Sequence, residues 1–212
     1  MKMTSLCKAQ DCGSMSTAAP HPAGQRPRIY LAGPDVFRPD AGEHFERLAA
    51  VCHRLGLQAI IPADDAIVGG SGLSKALGIY EANIQLLRTA QGVIANLEDF
   101  RGLEPDAGTV FEVGFATALR LPVVGYGVPN ESYAERVRST LRCERDGQGV
   151  LRACGTAIAV EDFGLRLNLM LGCSLELESS AERAIERMAD MLLQAGAEST
   201  CVPGRAHDDP CA

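Results

Sequence analysis

The chain has 212 residues, of which 46% are hydrophobic and 22% charged, a balance that describes a soluble globular protein with one core. Its formal charge of −7 and pI of about 5.1 exclude an extended nucleic-acid surface, because neutralising phosphates needs clustered Lys and Arg. Free bases, nucleosides and other neutral small molecules remain suitable ligands.

Residues 1–27 are rich in Ser, Pro, Gly, Ala and polar side chains, lack the apolar run of a secretory signal, and read as a disordered tail. Residues 196–212 read the same way, leaving 28–195 as a single domain. No stretch reaches the length of a membrane span.

Within the domain, "RIYLAG" (28–33) is an apolar run closed by Gly and Pro34, which predicts a strand. "DAGEHFERLAAVCHRLG" (40–56) carries Phe45, Leu48, Ala49, Cys52 and Leu55 at helical spacing, with Gly56 as a stop. A second strand is expected at 57–62 and a helix at 74–92, whose stripe Ala76, Ile79, Tyr80, Ile84 and Leu87 passes through Asn83. Taken alone, that amide reads as an internally bonded core residue. Then come a strand at 93–97, a helix at 106–119 and a strand at 122–127.

The pattern weakens from 128 to 164, where 131–142 reads as a helix whose Arg136, Arg138 and Arg142 form a solvated face. In "GLRLNLML" (164–171) leucines alternate with Arg166, Asn168 and Met170, as on the exposed face of an edge strand. A last strand at 175–178 and helix at 180–194 follow, with Ser179 or Ser180 available to cap the helix.

Strands alternating with helices imply a doubly wound α/β domain, flavodoxin- or Rossmann-like, with a parallel sheet and helices on both faces. Ligands of such sheets lie beyond the carboxyl ends of the strands. That rule directs attention to 33–37, 62–65, 96–106 and 126–130, and so to Gly33 and Phe37. No GxGxxG follows the first strand, and no phosphate-loop GxxxxGK[ST] occurs.

Cys7, Cys12, Cys201 and Cys211 lie in the tails, Cys52, Cys143, Cys154 and Cys173 stand singly, and no Cys-x-x-Cys pair occurs. Free thiols in a reducing cytoplasm fit better than disulfides or a metal site. His21, His44, His53 and His207 do not cluster as metal ligands, and His44 and His53 read as solvated on a helix flank.

The sharpest feature is Glu112. Val110, Phe111, Val113, Phe115, Ala116, Ala118 and Leu119 leave the helix around it no polar stripe, and a helix apolar all round is normally internal. A buried carboxylate must be neutralised, paired or used. Asp106 stands at the N-cap position. Gly108, Glu112 and Ala116 are spaced by four, so Glu112 sits on a face cleared of bulk where a ligand could approach. Two readings follow from position: a structurally paired glutamate, or a nucleophile that attacks an anomeric carbon to form a glycosyl ester.

Taken together, "RIYLAGPDVFRPD", "EANIQLLRTAQGVIANLEDFRGLEPDAGTVFEVGFA", "PVVGY" and "FGLRLNLML" resemble the nucleoside 2-deoxyribosyltransferases, thinly between 128 and 160. "DFRGLEPDAGTVFEVGFA" is the specific part. The resemblance implies that Glu112, in a D-x-G-T-x-F-E pattern, attacks C1′ of a deoxynucleoside and expels the base. A second base then takes the sugar with net retention. It further implies that Tyr30 orients Glu112, that Asp106 contacts sugar hydroxyls, and that Phe37 walls the base. Asn168 and Met170 would enter from a neighbouring subunit of a homo-oligomer, a dimer or an assembly of dimers. No metal or organic cofactor is implied.

Some members carry an aspartate where this chain has Asn83. An amide can hydrogen-bond a base but cannot protonate it. The competing readings are a deoxynucleoside 5′-monophosphate hydrolase, a phosphoribohydrolase of the cytokinin-activating kind, and a non-catalytic nucleotide sensor. The first places serines where this chain has Asp106, and the second a Gly pair where it has "EPDAGTVFE".

Overall fold

The computed structural model describes residues 25–62 and 72–198. Seven strands and six helices follow one another as β1 (Arg28–Ala32), α1 (Ala41–Arg54), β2 (Gln58–Ile60), α2 (Leu73–Arg88), β3 (Gly92–Asn96), α3 (Ala107–Ala118), β4 (Val123–Tyr126), α4 (Tyr133–Thr140), β5 (Cys143–Arg145), β6 (Leu151–Ala153), α5 (Leu169–Gly172), β7 (Glu176–Leu177) and α6 (Ala181–Glu198). A 3-10 turn, Pro34–Phe37, follows β1.

Five strands form one sheet in the order β2-β1-β3-β4-β7, and every pairing in it is parallel. The expected doubly wound α/β architecture is therefore present. Strand order reverses direction at β1 and β3, which opens a crevice at their carboxyl ends.

Period-2 alternation sorts the core. Ile29 and Leu31 pack on one face with Phe45, Leu48, Ile185 and Met188 from α1 and α6. Tyr30 and Ala32 face the other way, with Val113 and Ala116 of α3 and Leu87 of α2. The central strand β3 is buried at all five residues, and each fully buried Val or Ile contributes roughly 1.5–3 kcal/mol.

Asp106 caps α3 as expected, and the Ser180 hydroxyl accepts from Arg183 N at the start of α6. Among the described residues, no helix is long and apolar enough to cross a membrane. Residues 1–24 and 199–212 of the expected tails, and 63–65 of the expected crevice, lie outside the described residues, while α6 runs to Glu198, past the expected domain end at 195.

Several local expectations are corrected. The alternating segment 164–171 is not an edge strand: Asn168 caps the single turn α5, accepting from the backbone of Met170 and Leu171. Its alternation arises because Leu167 and Leu171 point inward from a loop and a short helix. Arg136 is not solvated but 6% exposed, whereas Arg138 and Arg142 are exposed. His44 is also withdrawn from solvent and faces Asp35, while His53 is exposed.

The stripe on α2 is buried only near its end: Leu87 is fully covered, but Tyr80 is 54% exposed. Nor is α3 internal all round, since Phe111 is half exposed beside Tyr80 and Phe115. The antiparallel hairpin β5–β6 occupies the stretch where the pattern weakened.

Candidate active site

Tyr30 projects from β1 toward α3, because the alternation that buries Ile29 and Leu31 on one face sends it to the other. It is fully buried, and its hydroxyl donates to Glu112 Oε1 at 2.6 Å. Glu112, on the second turn of α3, is half-buried. A short bond to one oxygen fixes the carboxylate in orientation. Charge-assisted bonds of this kind are about twice as strong as neutral ones.

At the head of α3, Asp106 Oδ2 accepts from Thr109 N at 3.0 Å and from Thr109 Oγ1 at 3.2 Å. Neither bond uses Oδ1, which remains for a ligand. A Cβ on Gly108 would stand 2.9 Å from Asp106 Oδ2, so the glycine lets the capping carboxylate fold over the helix end.

The crevice floor is a polar bracket. Asp35, 3% exposed, accepts from Asn96 Nδ2 at 3.0 Å and from the Tyr126 hydroxyl at 3.3 Å. His44 Nε2 stands 3.3 Å from its other oxygen, an electrostatic contact without hydrogen-bond geometry. Asn96 Oδ1 in turn accepts from Glu98 N. Burial and the neighbouring Asp35 carboxylate push the Tyr126 phenol far above its ordinary value, so it stays a neutral donor. Gly33 closes the bracket: a Cβ there would lie 2.8 Å from both Asn96 Cβ and Asp35 Oδ2.

Phe37 lies at the rim, 62% exposed, and stacks on Phe100 with centroids 5.7 Å apart. Asn83 is half-buried on α2.

Asn168 is half-buried, and both its capping bonds use Oδ1. The neighbouring Met170 is 74% exposed. Sequence reasoning missed what holds this segment. Arg136 donates to Asp99, to Leu103 O at 2.8 Å and to Arg166 O at 2.8 Å, tying the loop after β3 to the segment before Asn168. Arg166 donates to Pro129 O at 2.7 Å. A usable signal existed in "SYAE", a capping box of Ser132 and Glu135 that starts α4 and sets which face Arg136 presents.

The structure thus brings Tyr30, Glu112 and the α3 head with Asp106 and Gly108 to one side of the sheet, with Gly33 and Phe37 at the adjoining strand ends. Asn168 and Met170 lie on a separate element.

A family model described as nucleoside 2-deoxyribosyltransferase matches residues 29–170. The chain belongs to that family. Among solved structures, the 2-deoxyribosyltransferase of Leishmania mexicana is 31% identical, with a TM-score of 0.63 over 77% of this chain and 97% of that one. A conserved protein from Enterococcus faecalis V583 is 19% identical, with a TM-score of 0.50 over 78% of this chain and 99% of that one, and shares the fold. An uncharacterised protein of Schizosaccharomyces pombe is 35% identical over 130 residues, covering 59% of this chain. This family member spans 60% of that curated relative's length.

Proposed function

We propose that this family member moves a 2-deoxyribosyl group between nucleobases through a covalent ester on Glu112. The observation that carries the reading is the 2.6 Å bond from the buried Tyr30 hydroxyl to Glu112 Oε1, which orients the carboxylate.

In the first half-reaction a Glu112 oxygen bonds to C1′ while the C1′–N bond breaks and its electrons leave with the base. The departing base takes up a proton from solvent. In the second, a nitrogen of the incoming base bonds to C1′, its N–H proton passes to solvent, and the ester C–O bond breaks, returning the carboxylate. Two inversions give net retention. Lacking an electron-withdrawing 2′-oxygen, the deoxyribosyl centre carries oxocarbenium character readily, so one oriented carboxylate suffices and no cofactor enters a step. Water in place of the second base gives hydrolysis.

Asp106 binds a sugar hydroxyl through its uncommitted oxygen. Phe37 stacks on the base, Gly33 and Gly108 shape the crevice beside the sugar, and Asn83 hydrogen-bonds the base without donating a proton to chemistry. Asn168 and Met170 complete the pocket of a second copy, in keeping with the exposure of Met170 and of Tyr80, Leu77 and Phe111 on α2 and α3.

The test incubates purified protein with a panel of deoxynucleosides, with and without a second free base, and identifies products. New deoxynucleosides are expected, and Glu112→Gln should yield none while remaining folded. Quenching wild type with a deoxynucleoside alone should trap a deoxyribosyl adduct on Glu112. Exchange retained in Glu112→Gln would sink the assignment.

A further inference from the structure

Arg101 follows Phe100 on the exposed loop beyond β3, and its backbone is left-handed, with φ of 56°. A non-glycine residue there costs of order 1 kcal/mol and persists when its surroundings fix it, which occurs often at ligand sites. The turn is closed by Phe100 N donating to Glu104 O at 2.9 Å. The conformation lays the guanidinium over both rims of the aromatic pair, 4.6 Å from the Phe100 centroid and 5.9 Å from that of Phe37.

The two rings come from different strand ends, β1 and β3, at the switch point of the sheet. The bracket described above locks them together: Asp35, two residues before Phe37, accepts from Asn96, which accepts from Glu98, two residues before Phe100. The result is a stacked pair of rings with one planar cation within reach of both. A guanidinium carries its N–H donors in its own plane. It offers two parallel donors to whatever planar group lies beside it.

We propose that Phe100 and Arg101 join Phe37 in reading the base, with Arg101 selecting bases that present two adjacent acceptors away from the glycosidic bond. The O6 and N7 edge of a 6-oxopurine matches the fork of an arginine. Adenine places a donor beside N7 and meets like with like. The acceptors of cytosine include O2, which flanks the glycosidic bond and faces the sugar. This inference rests on the deoxyribosyl-transfer reading and adds its substrate class: deoxyinosine and deoxyguanosine above deoxyadenosine and the pyrimidine deoxynucleosides.

Arg101→Gly is the informative variant, because glycine adopts the left-handed backbone without strain and only the side chain is lost. Calorimetric binding of free hypoxanthine and of unsubstituted purine tests recognition without turnover, and kcat/KM for deoxyinosine and deoxyadenosine tests it in the reaction. Wild type should favour the 6-oxo compound in both. Arg101→Gly should lose about tenfold or more for that compound alone, the scale of a bidentate arginine–base contact. Arg101→Lys, which keeps charge but not the fork, should behave like Arg101→Gly. Phe100→Leu should weaken all bases alike.

The proposal is overturned if Arg101→Gly changes both bases equally or neither, if Arg101→Lys keeps the preference, if Phe100→Leu changes nothing, or if wild type binds no base. A loss confined to deoxyinosine 5′-monophosphate would also overturn it, assigning the guanidinium to a phosphate. Base binding with the expected preference but no product from any deoxynucleoside would count against the transfer reading alone.

Discussion

Asp106 caps α3 through Oδ2, and its proposed contact with the substrate through Oδ1 can be tested separately. A helix N-terminus attracts anions, yet here Asp106 Oδ2 already occupies the Thr109 amide. Its negative charge should then repel a 5′-phosphate and leave the site selective for nucleosides over monophosphates. Asp106→Asn keeps a good cap and removes the charge. Its thermal midpoint should stay near wild type while kcat/KM for the monophosphate rises relative to the nucleoside. Asp106→Ala should cost about 1 kcal/mol of stability as well, read by urea unfolding. An unchanged monophosphate ratio in Asp106→Asn would refute the electrostatic selectivity.

Cys52 offers a second test at this scale. It is fully buried in α1, and burial pushes its thiol from the ordinary 9.0 up to about 11. The unfolded chain therefore releases this proton first. Folded stability should fall as pH rises from about 9 toward 11, with full stability below that window. In the native protein at mild pH, alkylation should reach the exposed Cys154 and Cys173 well before Cys52, as peptide mapping would reveal. In Cys52→Ala the fall of stability across that alkaline window should be smaller than in wild type.

Among elements, α4 shows how one side chain assembles a site from loops. Arg136 gathers Asp99, Leu103 O and Arg166 O, groups separated by more than 60 residues of chain. Arg136→Ala leaves those acceptors without their cation and should destabilise by about 3 kcal/mol, the scale of lost charged hydrogen bonds. Arg138→Ala, on the exposed side of the same helix, should stay within about 0.5 kcal/mol. Chemical denaturation of the two variants measures the contrast directly, and equal effects would remove Arg136 from this role. The capping box of Ser132 and Glu135 fixes where the helix starts and so which face Arg136 takes, but only the loops packed above that face decide that Arg136, and not Arg138, is covered.

At the level of the whole molecule, the proposed completion of the pocket by a second copy can be tested by counting. Glu112→Gln and Asn168→Ala should each be nearly inactive alone. In a mixed dimer, one pocket takes Glu112 from one chain and Asn168 from the other and is intact, while the second pocket carries both lesions. Random mixing in an isologous dimer should restore roughly a quarter of wild-type activity. Subunit exchange confirmed by mass, without any recovery, would return Asn168 to its own chain.

The sequence by itself determined the alternation of strands and helices and the cap at Asp106, and it singled out the carboxylate of Glu112. Each is a local statement: hydrophobic period, cap chemistry and a carboxylate in an apolar run are written within a turn or two of chain. Only the tertiary structure decided that Arg136 and His44 are withdrawn from water, that 164–171 bends into α5 instead of extending, and that one face of α2 and α3 stays open. It also decided that Phe37 meets Phe100. Burial of a polar group depends on what the rest of the chain lays over it, and the residues that cover Arg136 or seat Phe100 are distant in sequence. Period and propensity describe which face a side chain occupies; the packing of other elements decides whether that face meets water.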